Sequence, residues 1–164
     1  MKFKLRDFRR EDFDTLWKLD QECFPPGISY TRFELAAYMK RSGAFTLVSE
    51  RDDAARALDI LGFIVAEANR RGVGHIITID VLPAARRLGI ASNLLIAAED
   101  RFRSAKCHIV RLETAVDNST ALAFYKRYHY DVVKTLPRYY SNGLDAVVLE
   151  KDLLSHAPEV KLLT

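Results

Sequence analysis

The stretch that most constrains this chain is Ile79–Ser92. An apolar, β-rich run (Ile76–Val81) stops at Pro83, a basic turn carries Arg86, Arg87 and Gly89, and a helical apolar pattern opens at Ile90. Whatever the fold, a strand must here deliver the chain through a short turn into a helix N-terminus. The first N–H groups of a helix lack internal partners, and the macrodipole adds partial positive charge. Two arginines stand beside that point, and a glycine admits a ligand close to the backbone. The stretch therefore reads as an anion site, with phosphate as the first expectation. It has neither the Gly-Lys-Ser/Thr of a P-loop nor the three-glycine dinucleotide fingerprint.

Around this centre the chain divides into short elements. Residues 2–8 alternate as a strand, and Phe13, Leu16, Trp17 and Leu19 lie on one face of a helix over 10–22, with Asp12 near its start. Phe24-Pro25-Pro26-Gly27 breaks it. Thr31 caps a second helix over 32–41, with Phe33, Leu35, Ala36, Tyr38 and Met39 expected on its buried side, until Ser42-Gly43 stops it. Strands follow at 44–49, 58–68 and 75–81, with a polar, flexible loop expected over 50–57. A helix over 90–104, a strand over 108–116 and a helix opening at Asn118-Ser119-Thr120 come next. Two closing strands near 131–138 and 144–151 are joined by Tyr139-Tyr140-Ser141-Asn142-Gly143, whose Ser-Asn-Gly is a turn signal. The order β-α-α-β-β-β-α-β-α-β-β predicts an α/β (α+β) domain over residues 1–152. It has a mixed, mostly antiparallel sheet of about seven strands flanked on both faces by about four helices. Residues 153–164 read as a loosely held tail.

Composition limits the function classes. At 164 residues with 49% apolar and 29% charged side chains, one globular domain is expected. No apolar run approaches the roughly 20 residues of a membrane helix. The N-terminus turns charged too soon for a secretory leader, so the cytoplasm is the expected location. The net charge of +3 is mild and fits an anionic cofactor. No basic-aromatic stripe predicts direct nucleic-acid contact. Cys23 and Cys107 form no metal or disulfide pattern. None of His75, His108, His129 and His156 reads as a catalyst or as part of a ligand pair, and no metal is expected. The sequence leaves the oligomeric state open between a monomer and a weak dimer. Taken alone, Glu113 in an apolar strand reads as a solvent-facing carboxylate and Tyr125 as core. The loop aromatics Phe24 and Tyr30 either plug a core edge or wall a groove.

Two segments change this reading. Arg86-x-x-Gly89-x-Ala91, after a strand ending Val81-x-Pro83, resembles the pyrophosphate-binding signature of the GNAT superfamily of N-acetyltransferases. The resemblance implies the GNAT fold with acetyl-CoA as cosubstrate. It places the backbone of Ile79, Asp80 and Val81 along the acetyl-pantetheine arm, and Arg86 with the amides of Arg87, Leu88, Gly89, Ile90, Ala91 and Ser92 at the pyrophosphate. The segment Leu112–Tyr125 resembles the RimI-like group, the ribosomal-protein alanine N-acetyltransferases and related protein N-terminal acetyltransferases. There the strand glutamate is the general base and the helix tyrosine the general acid, which implies Glu113 and Tyr125, with Asn118 on the CoA arm.

The Phe24–Tyr30 loop and Pro137–Ala146 hairpin resemble the two walls of that group's peptide groove. This implies Phe24, Tyr30 and Tyr139 as acceptor contacts, with the choice between Tyr139 and Tyr140 open. The chain departs from the pattern in reading Phe-Pro-Pro-Gly-Ile-Ser-Tyr where the bacterial ribosomal enzyme has Phe-Pro-Trp-Ser, and in carrying Ala91 and Phe124.

The chemistry is coherent. A carboxylate relieves an α-ammonium group of pKa roughly 7.7–8.0 of its proton far more easily than a lysine near 10.4, by about 3 kcal/mol. The Val81 N–H is the expected oxyanion donor if the strand ending there parts from its neighbour at this point. The expected acceptor is a protein or peptide N-terminus, a ribosomal protein among the candidates. The alternatives are a small amine or lysine side chain, a non-catalytic CoA-binding module, and a basic RNA- or ribosome-binding domain.

Overall fold

The structure, a computed structural model, describes residues 2–52 and 59–159. The strands are β1 (Phe3–Asp7), β2 (Ala44–Arg51), β3 (Ile60–Ala68), β4 (Val73–Val81), β5 (Ile109–Ala115), β6 (Asp131–Leu136) and β7 (Ala146–Asp152). The helices are α1 (Phe13–Cys23), α2 (Arg32–Met39), α3 (Ile90–Ser104) and α4 (Ser119–Arg127). The strands form one sheet in the order β1-β2-β3-β4-β5-β7-β6. Among the described strands only β4 and β5 run parallel to each other, and the connection between them is α3, as a crossover requires. The predicted element order and mixed sheet are those observed.

Each face of the sheet carries a core. Leu94, Leu95, Ala98 and Phe102 of α3 and Tyr125 of α4 meet Ile64, Ile76, Val110 and Leu112 on one face. On the other, Leu16 and Leu19 of α1 and Leu35 of α2 cover Val48, Phe63 and Val65. Leu35 is the only fully buried position of α2, and Phe33 is 83% exposed. That corrects the expectation for Phe33. At about 100° per residue, two positions before Leu35 lies nearly opposite it. Thr31 does cap α2, in a reciprocal box with Glu34.

Asp12 is not a simple cap. A 3₁₀ turn (Arg10–Asp12) precedes α1, and the fully buried Asp12 carboxylate accepts from the Arg9 N–H and from Arg6. Burial alone would raise this acid, but the bonds from Arg6 and Arg9 outweigh it and hold it below the usual carboxylate range. Arg6 also reaches Glu50, so one guanidinium joins β1, β2 and the start of α1.

The expected flexible loop over 50–57 falls mainly outside the described residues. After β7, Leu153 is buried and its N–H bonds the His108 carbonyl. Farther on, His156 stacks on His129 at 4.4 Å.

Candidate active site

β4 and β5 pair from Val73↔Ile109 as far as Ile76↔Leu112, while β4 continues to Val81 and β5 to Ala115 along β7. The two strands part beyond Ile76 and Leu112, beside Val81. The peptide groups facing the opening follow from the β3–β4 register. Leu82 N–H bonds the Leu61 carbonyl and Gly62 lies opposite Val81. Alternation then turns the Asp80 peptide groups toward β3 and those of Ile79 and Val81 toward the opening. The Val81 carbonyl is held by Arg86 Nε (3.2 Å) and Cys23 Sγ (3.4 Å). Its N–H points the same way as that carbonyl, into the gap. Arg86 thus ties the turn to the end of β4.

Beyond Arg86 the chain makes the turn the glycine was expected to permit. Arg87 (φ 64°) and Gly89 (φ 82°) both adopt left-handed backbone, and Gly89 is the N-cap of α3. No side chain caps this helix; its first intrahelical bond runs from Asn93 N–H to the Gly89 carbonyl. The N–H groups of Ile90, Ala91 and Ser92 are left facing outward along the axis, with the positive end of a 15-residue helix behind them. Ile90 and Ser92 bury their side chains and Leu88 is 40% exposed, so this cradle is built from backbone. A pyrophosphate fits such a donor set without help from a side chain. Asn118 caps α4, its Oδ1 accepting from Ala121 N–H at 3.1 Å. Its amide NH₂ is the group left to donate.

A bulge in β4 decides which side chains share a face. Val65 pairs with Thr78 and Ala66 with Ile76, so Ile77 is the extra residue. Strict alternation would put His75 with Ile77, Ile79 and Val81. The bulge puts it with Thr78 and Asp80 instead, on the side of α1 and α2.

There Asp80 meets Asp20 of α1, both essentially inaccessible. Asp80 Oδ1 accepts from the Thr78 hydroxyl; Asp20 Oδ2 accepts from the Tyr30 N–H at 2.7 Å and from Gln21. The oxygens left over, Asp20 Oδ1 and Asp80 Oδ2, are buried without a donor, and each carboxyl acts on the titration of the other. One shared proton satisfies both. Burial first, and the neighbouring Asp20 second, push the Asp80 carboxyl well above the usual carboxylate range. Burial, followed by Asp80, also pushes the Cys23 thiol up to about 11, which suits an inert thiol rather than a nucleophile.

The sign of the linkage is fixed by the raised acid. The folded protein holds a proton the unfolded chain has released, so this contribution to stability is present at low pH and lost as pH rises through the folded-state value. Asp80→Asn, which donates to Asp20 without a titrating proton, is expected to flatten the alkaline fall of Tm. Parallel Tm curves for the two proteins between pH 6 and 10 would contradict the shared proton.

Glu113 is the next residue after the last β4–β5 pair, half-buried on the α1/α2 face. Its Oε2 lies 2.6 Å from His75 Nε2, a contact between residues 38 apart that no sequence periodicity announces. The tyrosines of the β6–β7 turn overlook it. The charge of Glu113 adds to burial in raising both the Tyr139 and Tyr140 phenols. Tyr139 is 47% exposed and edges Tyr140 at 5.0 Å. Tyr140 is the more buried and is also felt by Tyr125, so Tyr140 reaches deeper and Tyr139 stands at the mouth. Tyr125 is buried in α4, edge-on to Tyr130, and burial, then Asp80 and Tyr140, hold its phenol above the ordinary value.

Of the α1–α2 loop residues, Phe24 ends α1 half-buried. Tyr30 is fastened at both ends. Trp17 and Gln21 donate to its carbonyl, its N–H goes to Asp20, and its hydroxyl reaches the Ile77 carbonyl at 3.4 Å. Tyr38 of α2, absent from the sequence candidates, edges Tyr30 at 5.3 Å and carries Arg41 on its ring. Its signal was only one aromatic on a helix face. The two loops meet. Ser141 Oγ donates to the Gly27 carbonyl at 3.1 Å, and a Cβ at Gly27 would lie 2.7 Å from that of Asn142. The α1–α2 loop and the β6–β7 turn therefore touch and close over one another.

Comparison with known proteins agrees with this architecture. Residues 13–130 match the family described as the acetyltransferase (GNAT) family. The chain is 32% identical over 148 residues to an uncharacterised N-acetyltransferase of Methanocaldococcus jannaschii, covering 90% of each. It is 29% identical over 163 residues to an N-alpha-acetyltransferase of Sulfurisphaera tokodaii, covering 92% of this chain and 93% of the other. Its structure superposes on that of Ard1 from Thermoplasma volcanium with a TM-score of 0.82 at 25% identity, over 93% and 98% of the two chains. Parted strands, an uncapped helix start behind a left-handed glycine and a matching sequence from α1 to the end of α4 lead to one conclusion: the chain belongs to the GNAT family of acetyl-CoA-dependent N-acetyltransferases.

Proposed function

We propose that the protein acetylates the α-amino group of protein or peptide N-termini. The observation that carries this reading is the similarity to N-alpha-acetyltransferases across more than nine-tenths of both chains. The contact between the α1–α2 loop and the β6–β7 turn supports it. With Gly27 and Ser141 in contact where the two loops meet, an acceptor enters end-on, as a chain terminus does. The ribosomal-protein acceptor implied by the sequence resemblance is one member of this class.

The cradle of Arg87–Ser92 amides would hold the pyrophosphate of acetyl-CoA, with the Asn118 amide and the Ile79 and Val81 peptide groups along its arm. Bound there, it supplies an electrophilic thioester carbonyl. The Val81 N–H, fixed by the clamps on its own carbonyl, faces the place where negative charge develops on oxygen. Glu113 takes the proton of the incoming ammonium, and the Tyr125 hydroxyl, kept protonated by its raised pKa, gives a proton to the departing sulfur.

Thiol release from acetyl-CoA tests the acceptor class. A short peptide beginning with Ala or Met is expected to turn over, and the same peptide, N-terminally blocked and carrying one lysine, is not. Turnover of only the blocked peptide would overturn the assignment. Tyr125→Phe keeps the buried ring and is expected to lower kcat by roughly 10- to 100-fold, with acetyl-CoA affinity retained. An unchanged kcat would remove Tyr125 from the chemistry.

A further inference from the structure

The last turn of α1 meets the end of β4 at two places. Asp20 meets Asp80, and one helical turn later Cys23 Sγ lies 3.4 Å from the Val81 carbonyl. Asp20 also holds the α1–α2 loop, its Oδ2 accepting from the Tyr30 N–H at 2.7 Å. One buried carboxyl therefore stands between the loop that walls the acceptor and the strand whose Val81 N–H faces the opening.

Both acids are sealed from water, and each has one oxygen with a donor and one without. Across β3 the residue opposite Asp80 is the buried Phe63. The charged and titratable neighbours of the pair are Cys23 on α1, Tyr30 in the loop, Glu34 on α2, Arg86 in the turn and Tyr125 on α4. Burial keeps the protons of Cys23, Tyr30 and Tyr125 in place, and Glu34 adds a like charge. Arg86 is the one cation among these neighbours. It balances one carboxylate and not two, and a second charge here would sit on an oxygen that no group donates to.

We propose that Asp20 and Asp80 are positioning residues for acetyl transfer: sharing one proton, they latch the acceptor loop to the strand that carries the Val81 N–H, and loss of that proton opens the latch. Closed, the pair carries one negative charge, opposed by Arg86. Opening breaks one carboxyl O–H bond, the electrons stay on oxygen, and hydroxide takes the proton to give water. The pair is then doubly negative, and repulsion with hydration of both acids parts α1 from β4. Tyr30 and Val81 are no longer set by one contact. Neither acid touches the acceptor or the thioester.

The direction of the effect separates it from the chemistry. An α-ammonium of pKa roughly 7.7–8.0 loses its proton as pH rises, so deprotonation of the acceptor alone makes the rate climb and level off. The Tyr125 phenol, raised by burial, stays protonated. A fall beyond that plateau belongs to the latch.

The inference rests on the acetyl-transfer reading above and deepens it. Its test follows kcat/KM for an N-terminal peptide from pH 6 to 10 in the natural protein, Asp20→Asn and Asp20→Ala. Asparagine accepts from the Tyr30 N–H through its oxygen and donates to Asp80 through its NH₂, so it keeps the latch without the proton. The natural protein is expected to show an alkaline fall that approaches tenfold per pH unit. Asp20→Asn is expected to lie within about threefold of it at pH 7 and to stay level above the plateau. Asp20→Ala opens the latch at every pH, and is expected to raise KM for the peptide about tenfold with KM for acetyl-CoA within about twofold. A natural profile that stays level to pH 10, or superimposable profiles for the natural protein and Asp20→Asn, would overturn the proposal.

If the natural protein acetylates a lysine or small amine and no N-terminus, the acceptor assignment fails alone, and the same profiles on that amine decide the latch. A readout without turnover is the infrared carbonyl stretch of a protonated carboxyl. At about pH 8 ordinary carboxyls are ionised, so the band is expected from the natural protein and from neither Asp20→Asn nor Asp80→Asn. Its absence from the natural protein would overturn the latch whatever the activity.

Discussion

Glu113→Gln is expected to reduce kcat on an N-terminal peptide at pH 7 by about 10²–10³-fold, while acetyl-CoA affinity stays within about twofold. Glutamine has the same shape and still accepts from His75 Nε2, so the contact that fixes the side chain survives. What disappears is the negative charge and the capacity to take a proton. Near pH 7 most α-amine is ammonium, given its pKa of roughly 7.7–8.0, and the reaction waits on deprotonation. Above about pH 9 the acceptor is already the free amine, so the deficit is expected to narrow. The check is thiol release followed from pH 6 to 10 for both proteins. A deficit that does not change with pH would make Glu113 a binding group rather than a base. Equal rates at pH 7 would remove it from the chemistry altogether.

That experiment concerns a residue the sequence pointed to, and the contrast with its partner shows where sequence reasoning ends. The element order, α3 at Ile90–Ser104 and the turn at Gly89 were legible because each depends on local signals: periodicity, a Pro after a strand, a glycine needing φ > 0. Glu113, Tyr125 and Asn118 stood out through the resemblance of one contiguous segment to a known group of enzymes, not through periodicity. His75 was passed over because its meaning lies across the sheet, in a carboxylate 38 residues away, and because a bulge at Ile77 resets which side chains share its face.

The Asp20–Asp80 pair was invisible for the same reason. Asp80 was expected to offer its backbone to the cofactor. The register turns that backbone to β3, while its buried side chain meets Asp20, which holds the Tyr30 N–H of the α1–α2 loop. Phe33 is the opposite case, where apolar content does not mean burial: its angle to Leu35 puts the ring in solvent.

The same cross-element logic governs stability in the core beside the site. Lys151 of β7 and Glu99 of α3 are both inaccessible, with Nζ 3.0 and 2.9 Å from the two carboxylate oxygens. Oε1 also accepts from the Tyr130 hydroxyl at 2.8 Å, and Arg103 lies 3.9 Å from Oε2. Burial, then the charge of Glu99, hold the Tyr130 phenol well above its ordinary value, so it stays a donor. Removing one member strands the other's charge in a dry interior. Lys151→Met, which fills most of the same volume, is therefore expected to cost about 3–5 kcal/mol and to lower Tm by roughly 6–20 °C for a domain of this size.

Deleting both charges, in Glu99→Met/Lys151→Met, is expected to recover most of that loss. Desolvation of the pair offsets much of its attraction, and the Tyr130 hydroxyl and the Arg103 guanidinium are the groups that then lose Glu99. Adding Tyr130→Phe is expected to recover the remainder, about 1–3 kcal/mol. Thermal unfolding of the single, double and triple variants separates the two explanations. A single variant within about 0.5 kcal/mol of the natural protein would mean that water reaches Glu99. A double variant no better than the single would mean that the loss was packing and not charge. The ring of Tyr130 edges that of Tyr125 at 5.4 Å. A single variant that repacks this contact would therefore lose turnover as well as stability, whereas one that leaves the ring in place would lose stability alone.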